Sequence, residues 1–489
     1  MNYLNIHFKE KSNQVIYAIG LLFIAITGIS LFFGVYEMLL LPVALVAVYI
    51  CIYRPVFYTL ILCFLIPFSL FVDDVGGGFG LSLPTEPMIW LLFLVYVIQL
   101  FINGEIKVSL FNNPLMLFIV INWLWMFVTV FASSMPMVSL KYFLARTWFM
   151  VVFYFFLLHL FKNPSVMRKF LSYLLYGTVI VVFYTLVKHA REDFSRGWGY
   201  DIMKPFFQEH TMYSAYISFL VPVALMFALR GQLFNFNWIY RSVFLSIFIV
   251  LVVGIIFSYT RASWISLLAA LFFYVLLQFK VSFKHMMYAL LLVLSIAWIK
   301  QDQLLYSLEK NKQGSADDIE SHAQSVSNIT TDPSNLERVN RWQCAVLMFK
   351  ERPVFGFGPG TYTFQYAPFQ RPENLTLIST NSGDLGNTHS EYFNALSEMG
   401  LIGFLSWVAV FLSSIYLAMG LIYHPSVLLW VKSLTTAVML GLFTYYVHSF
   451  LNNFTDFDKI AAPFWGYLAI ITALKMYHHQ HNKSSQTNT

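Results

Sequence analysis

The distribution of apolar residues constrains the fold of this chain more than any other feature. Apolar runs of membrane-spanning length recur along nearly the whole sequence, and one polar segment, Lys300 to Glu398, interrupts them. The chain is 58% hydrophobic and only 11% charged, which is less charge than a soluble domain carries. The runs are continuous rather than alternating, so they predict helices and not the strands of a barrel. The sequence therefore predicts an all-α polytopic membrane protein.

Apolar runs that are candidates for transmembrane helices can be read from one end of the chain to the other. They are Val15–Phe33, Val35–Tyr53, Pro55–Val72, Pro87–Phe101, Pro114–Phe131, Tyr142–Phe161, Phe170–Val187, Thr211–Leu229, Ser242–Ser258, Ala262–Phe279, His285–Ile299, Leu401–Tyr423, Trp430–Phe450 and Ile460–Met476. The closely spaced first pair and the short fourth run are ambiguous, and two runs could merge or re-enter the same face. The prediction is about 12–14 transmembrane helices.

The charges between the runs predict the orientation. With the N-terminus in the cytoplasm, the segments on that side hold fourteen basic and two acidic residues, whereas the opposite short loops hold seven basic and ten acidic ones. Basic residues collect on the cytoplasmic side, so the long polar segment is expected outside and the first run is expected to stay as an anchor. The predicted divisions are a transmembrane region with short loops (1–299), a large periplasmic loop (300–398), C-terminal transmembrane helices (399–476) and a cytoplasmic tail (477–489).

Charge and cysteine content exclude some classes of function. The net charge of +6 largely reflects cytoplasmic anchoring, and the absence of a basic-aromatic cluster argues against nucleic acid as a partner. Cys51 and Cys63 lie in membrane runs and Cys344 is alone in the outer segment, so the sequence holds neither a disulfide framework nor zinc spacing. Neither a metal nor another cofactor is expected.

The long polar segment divides into a linker, a helix and a turn. Gln301–Thr331 is rich in Ser, Asp and Asn and reads as a flexible linker. Ser334-x-x-Glu337 matches a capping box, and the helix that follows should end at Glu351-Arg352-Pro353. The glycines of Gly356–Gly360 then form a tight turn, which is not a nucleotide loop because no Gly-Lys-Ser/Thr follows. One apolar face is predicted for the helix: Val339, Trp342, Val346 and Phe349.

His389 is the candidate catalytic residue of the segment. Thr388-x-x-Glu391 matches a second capping box, which predicts His389 in the first turn of a helix. The positive end of a helix dipole disfavours imidazolium, so the ring would be neutral near pH 7 and able to accept a proton. Glu398 is expected to be a similar cap or to orient His389. The alternative is that His389 is a polar residue at the membrane surface.

Basic residues near the outer ends of the helices are candidates for binding an anion. Arg146 lies inside an apolar run, where a guanidinium is costly and needs an anionic partner. Arg261 begins another run, and its alternative role is snorkelling to lipid phosphate. Arg191, Arg196 and Lys204 lie in the external loop before Thr211. Together these groups could hold a diphosphate, although a solvated surface position is the simpler alternative for each loop residue.

Four segments form an ordered pattern around the polar segment. They are the loop-to-helix entry Phe207–Pro222, the Thr-Arg-Ala-Ser-Trp helix start in Tyr259–Leu268, the Pro-x-x-Gly-x-Gly-Pro-Gly turn in Arg341–Tyr362, and the His-to-Gly stretch in Thr388–Phe404. In these segments the chain resembles the superfamily of O-antigen ligases and O-antigen polymerases, bacterial envelope enzymes, over roughly residues 140–475. One departure is Ser390, where the superfamily usually has Asn beside the histidine.

The resemblance implies a GT-C-like fold and a metal-independent, inverting glycosyltransferase of the bacterial inner membrane, with its active site facing the periplasm. Such an enzyme takes a glycan from undecaprenyl diphosphate. In a ligase, the acceptor is a hydroxyl of the lipid A-core oligosaccharide, as in lipopolysaccharide biosynthesis. His389 would be the general base, and the arginines, with Arg341 added, would bind the substrate.

Ligase is the first choice of function, and two alternatives are kept. An O-antigen polymerase would use a similar site to join lipid-linked repeat units. A transporter or flippase for a lipid-linked sugar would also need basic residues facing a cavity, but it would not need a histidine beside the acceptor.

The orientation gives the first testable prediction. Residues 300–398 should face the periplasm and both termini the cytoplasm, because of the charge asymmetry. A cysteine placed at Ser315 should react with a membrane-impermeant maleimide in intact spheroplasts. Protection of that cysteine until the membrane is broken would contradict the orientation.

Overall fold

The computed structural model describes most of the chain. It describes every predicted apolar run, apart from the first five residues of the run Val35–Tyr53. The described residues are 12–34, 40–72, 80–103, 113–300, 333–372, 375, 379 and 386–487. The predicted linker Gln301–Thr331 and Ser315 lie outside them.

The described residues are almost entirely helical. The helices are α1 (Ser12–Phe32), α2 (Leu40–Tyr53), α3 (Pro55–Leu65), α4 (Thr85–Asn103), α5 (Pro114–Phe131), α6 (Pro136–Met150), α7 (Leu157–Leu160), α8 (Pro164–Ala190), α9 (Arg196–Gly199), α10 (His210–Arg230), α11 (Trp238–Ile256), α12 (Arg261–Gln278), α13 (Phe283–Ile299), α14 (Pro333–Glu351), α15 (Tyr362–Gln365), α16 (Glu391–Tyr423), α17 (Leu429–His448) and α18 (Asp458–Thr487). A π-helical stretch, Val151–Phe156, joins α6 to α7. Each predicted apolar run coincides with a helix or a joined group of helices.

Nine helices in the described ranges are long and apolar enough to cross a membrane, and four shorter apolar helices accompany them. The predicted fold class, an all-α polytopic membrane protein, is confirmed. The third apolar run is an exception in detail, because α3 ends at Leu65 and the run finishes in a strand. That strand, β1 (Leu70–Val72), pairs antiparallel with β2 (Leu81–Leu83).

Asparagine and proline set the starts of several spans. The side chains of Asn113 and Asn163 accept hydrogen bonds from Leu115 N and Ser165 N, and proline follows each asparagine at the first helical position. Proline fits there because its missing N–H has no partner in a helix's first turn. Asn237 caps α11 in the same way by accepting from Tyr240 N.

The spans α10 and α18 lie at the centre of the bundle, and α4 and α11 lie at its periphery. Helix α10 packs against α11 and α17, and small residues allow the backbones to approach. Gly441 on α17 is one example, since a β-carbon there would lie 2.5 Å from the carbonyl oxygen of Phe219 on α10.

A buried carboxylate fastens the Gly-rich turn to the start of α16. Glu398 accepts hydrogen bonds from Gly360 N and Tyr362 N, each at 2.9 Å, and from Asn394 Nδ2 at 2.9 Å. The backbone adds bonds from Phe357 N to Ser397 O and from Gly358 N to Glu398 O. The expectation that Glu398 orients His389 is therefore wrong, because its oxygens are directed at the turn, where Oε1 accepts from the first N–H of α15.

The end of α14 at Glu351 is as predicted, but its buried face is not. The helix begins at Pro333, one residue before Ser334, and Glu337 pairs with Arg341 rather than completing a capping box. The predicted apolar face is only half-buried. The buried residues lie on the opposite face: Glu337, Asn340, Arg341, Cys344, Ala345 and Met348. Periodicity showed that the helix is two-faced but could not show which face meets protein.

The Gly-rich turn also bends α16. Gly400 has φ +66°, and a β-carbon there would lie 2.2 Å from the carbonyl oxygen of Val354. Leu401 N donates to Pro353 O across the same approach. Only glycine occupies this conformation without strain, so the helix can change direction here.

We predict that Gly400→Ala will destabilise the protein by more than about 1–3 kcal/mol, because strained backbone and a steric overlap add together. The measurement is thermal unfolding in detergent. Gly420→Ala in the same helix is the matched control, since nothing lies within 4 Å of its new methyl group, and it should be neutral or stabilising. Equal melting temperatures for the two variants would show that the close contact between the Gly-rich turn and Gly400 does not contribute to stability.

Candidate active site

The predicted basic residues fall into distinct environments in the structure. Arg146, 6% exposed, lies between two carboxylates. Its Nη1 is 2.9 Å from Asp456 Oδ1, and its Nη2 is 3.5 Å from Glu391 Oε2. It also donates to Thr455 Oγ1, and its guanidinium lies 5.1 Å from the Trp407 ring. Glu391 and Asp456 thus supply the negative charge that a buried guanidinium needs.

Arg261 and Arg196 lie near the starts of α12 and α10, at one end of the bundle. Arg261 is the first residue of α12 and lies within electrostatic reach of Arg196. The Nε of Arg196 donates to Tyr200 Oη at 3.1 Å. Thr260 holds the start of α12 against the start of α10 by donating to His210 O at 3.3 Å. These contacts hold two like charges beside one another.

Arg338 on α14 is the third member of this cationic group, and the sequence reasoning missed it. Burial and the nearby Arg261 lower the pKa of Arg338 to about 10, although Glu209 acts in the opposite direction. Its Nε donates to Leu451 O at 3.2 Å. The sequence carried a signal, because Arg338 and Arg341 are three residues apart on a predicted helix and such residues are neighbours on its surface. We call Arg196, Arg261 and Arg338 the arginine group.

Arg341 has a different role from Arg338. It is 3% exposed, and its Nε donates to Glu337 Oε1 at 2.6 Å. Its guanidinium lies 4.1 Å from the centre of the Tyr366 ring and packs so closely on Gly386 that a β-carbon there would lie 1.2 Å from Nη1. Arg341 therefore supports the segment that leads into His389.

Lys204 and Arg191 are exposed in the loop between α8 and α10. Lys204 pairs with Asp201 at 2.5 Å, and the Nζ of Lys188 donates to Lys204 O. Arg191 ends α8. The prediction that these two residues bind substrate stays a prediction.

His389 precedes α16 rather than lying in its first turn, so the predicted capping box at Thr388 is wrong. The helix begins at Glu391 after an extended Ser390, and His389 has φ +49°. Thr388 Oγ1 donates to Ser390 O, and Asn387 Oδ1 accepts from His389 N at 2.9 Å. Glu391, which was expected to complete the box, binds the loop after α17 instead. Local side-chain bonds hold His389 in the left-handed region.

The expected neutrality of His389 follows from charge and burial rather than from a helix dipole. Burial lowers its pKa to about 3, and the cations Arg338 and Arg341 act in the same direction. The imidazole thus lies within electrostatic reach of Arg338, a member of the arginine group, and of Arg341. A neutral ring can accept a proton, and an anion bound by these arginines would raise its pKa and make it a stronger base.

Two further histidines lie within reach of Arg338, and the sequence reasoning gave them no catalytic role. His210 begins α10 and packs against the Tyr200 ring at 4.7 Å. His448 is fully buried at the end of α17, with Nε2 3.0 Å from Asn452 Nδ2 and Nδ1 3.4 Å from Ser263 Oγ. Within the described ranges, no group of three or more His, Cys, Asp or Glu side chains is placed to hold a metal ion.

Comparison with known proteins shows a similarity over the part of the chain that contains this arrangement. A family model described as O-antigen ligase matches residues 245–408, which include Arg261, Arg338 and His389. The predicted resemblance to the superfamily of O-antigen ligases and O-antigen polymerases is confirmed.

An uncharacterized protein from Haemophilus influenzae is similar to part of the chain. The two are 23% identical over 271 residues, which is 53% of this chain and 62% of that protein. The chain thus matches less than two thirds of the relative's length.

The depressed pKa of His389 predicts a change of stability with pH. Between its usual value of 6.5 and its folded value of about 3, the unfolded chain binds a proton that the folded chain does not. Stability should therefore fall as pH drops below about 6.5, and His389→Gln should reduce that fall. Melting temperatures at about pH 7.5 and about pH 5 test this. The control is His285→Gln, an exposed side chain at the other end of the bundle. An unchanged difference in His389→Gln would mean that His389 is solvated.

Proposed function

We propose that the chain is an inverting, metal-independent glycosyltransferase that moves a glycan from undecaprenyl diphosphate to a hydroxyl of the lipid A-core oligosaccharide. The observation that carries the proposal is the placement of Arg261 and Arg338, from separate helices, beside each other, with Arg338 also within reach of His389. Crowded guanidiniums are unfavourable alone and favourable around an anion with several charges. A diphosphate offers that charge and two phosphate groups for planar, bidentate bonds.

The arginine group would act on the leaving diphosphate. As the bond between the anomeric carbon and the diphosphate oxygen breaks, that oxygen takes the bonding electrons and becomes more negative. Arg261, Arg338 and Arg196 are proposed to stabilise this charge, which is larger in the transition state than in the bound donor. Arg146 is left out of this group because Glu391 and Asp456 already surround it.

His389 would act on the acceptor. Its neutral imidazole takes the hydroxyl proton while the hydroxyl oxygen attacks the anomeric carbon from the side opposite the diphosphate, which inverts the configuration. The bound diphosphate offsets the positive charge of Arg338 and Arg341 and so raises the pKa of His389 from about 3 toward a useful range. The donor would thereby strengthen the base that its own transfer requires.

The membrane setting supports a lipid-tailed donor. Arg261 begins a membrane span and His389 lies two residues before another. The site is thus at the boundary where a polyprenyl chain can remain in lipid while its diphosphate leaves it. The predicted orientation puts this boundary at the periplasmic face of the inner membrane.

We predict that substitutions in the arginine group and at His389 will have different effects in an assay with purified protein. Arg261→Lys and Arg338→Lys should weaken binding of undecaprenyl diphosphate, because lysine keeps the charge but loses the planar fork. His389→Ala should retain that binding and lose about a hundredfold to ten-thousandfold in transfer. Arg54→Lys, an exposed arginine before α3, is the matched control and should leave both unchanged. Normal turnover of His389→Ala with a lowered melting temperature would make His389 a structural residue.

Polymerase activity is separated from ligase activity by the products in cells. After deletion of the gene, free polymer on the lipid carrier indicates a lost ligase, whereas a core that bears a single repeat indicates a lost polymerase. Loss of the surface glycan, with lipid-linked sugar retained on the cytoplasmic side, would favour a flippase.

A further inference from the structure

A buried cluster beneath the candidate site is organised around one carboxylate, that of Glu391. Its Oε1 accepts from Tyr445 Oη at 2.9 Å, Phe454 N at 3.1 Å, Thr455 N at 2.9 Å and Thr455 Oγ1 at 2.6 Å. Its Oε2 faces Arg146 Nη2 at 3.5 Å. Glu391 is 3% exposed, so these bonds form in a medium where charge is poorly screened.

Arg146 links this carboxylate to the loop between α17 and α18. It binds Thr455 and Asp456 of the loop as well as Glu391 of α16. Burial raises the pKa of Asp456, and Arg146 opposes that rise. We call Arg146, Glu391, Thr455 and Asp456 the charge network.

The charge network fixes both sides of the candidate site. Glu391 is two residues after His389, and its backbone N donates to Ser449 O at 2.9 Å. The loop that the network holds supplies Leu451 O, which accepts from Arg338 Nε. A shift of this loop would therefore move a partner of Arg338 and the chain that carries His389 together.

The geometry points to Arg146 and Glu391 as positioning residues for Arg338 and His389, with no contact of their own to the donor diphosphate. This inference rests on the proposed function for the roles of Arg338 and His389. It assigns to Arg146 a task different from the diphosphate binding that its sequence context predicted.

Neutralising the network in steps tests the inference. Arg146→Gln leaves two carboxylates without their cation, so the loop should loosen. The triple variant Arg146→Gln/Glu391→Gln/Asp456→Asn removes all three charges and keeps the amide oxygens that can accept the loop's hydrogen bonds. Removing both partners of a buried pair is far milder than removing one. Arg146→Lys is the gentler second variant if Arg146→Gln does not fold.

The first measurement does not depend on the chemistry of the site. Asn453→Cys places a thiol in the loop at a position that is 9% exposed, and its rate of maleimide labelling reports loop opening in detergent. We expect Arg146→Gln to raise that rate at least about tenfold and the triple variant to restore protection. Arg230→Gln, at the other end of α10 and bonded to Ser433, is the matched control and should change nothing.

The second measurement separates positioning from donor contact. For Arg146→Gln we expect about a hundredfold loss of turnover, since misplacement of reacting groups by about 1 Å costs that much, and substantial recovery in the triple variant. Recovery would be impossible if the Arg146 guanidinium bound the diphosphate. A triple variant with restored loop protection but lost affinity for undecaprenyl diphosphate would overturn the inference, as would unchanged labelling in Arg146→Gln. Absence of transfer by the wild-type protein would instead refute the proposed function, and the labelling result would still stand.

Discussion

A buried guanidinium must be balanced by negative charge. The structure at this end of the bundle depends on which groups supply that charge to each arginine. Arg146 lies between Glu391 and Asp456 and is neutralised within the protein. Arg261 and Arg338 instead lie near each other, with Glu209 the carboxylate that acts on Arg338. The first arrangement favours a fixed structure, whereas the second is the one to which the proposed function assigns an anionic ligand.

The outer segment is positioned by contacts with the membrane helices. Glu398 fastens the Gly-rich turn to α16, Phe357 O accepts from Ser134 N before α6, and Leu451 O accepts from Arg338 on α14. Each contact joins the segment to a different helix end. Helix α14 thus keeps a defined place above the bundle, and Arg338 can meet Arg261 although the two residues are far apart in the sequence.

The candidate base and the arginine group are coupled through charge. In the free protein, burial and two arginines hold the pKa of His389 at about 3, which makes the ring a weak proton acceptor. A bound diphosphate changes the field at the imidazole in the direction that strengthens it. Under the proposed function, this coupling would limit proton removal to complexes that already contain the donor.

Individual residues show which features follow from the sequence and which follow only from the tertiary structure. The apolar runs and the order of the motifs determined the helical membrane fold, the position of Arg261 at the start of a helix and the family resemblance, because these depend on composition and local spacing. The sequence could not decide that His389 precedes its helix, that α14 buries its Glu337–Arg341 face, or that Arg338 joins the arginine group. It also could not pair Arg146 with a loop residue, Thr455, 309 positions away. The partner of a charged group is set by which helix ends meet in three dimensions, so only the tertiary structure shows which charged groups surround each arginine.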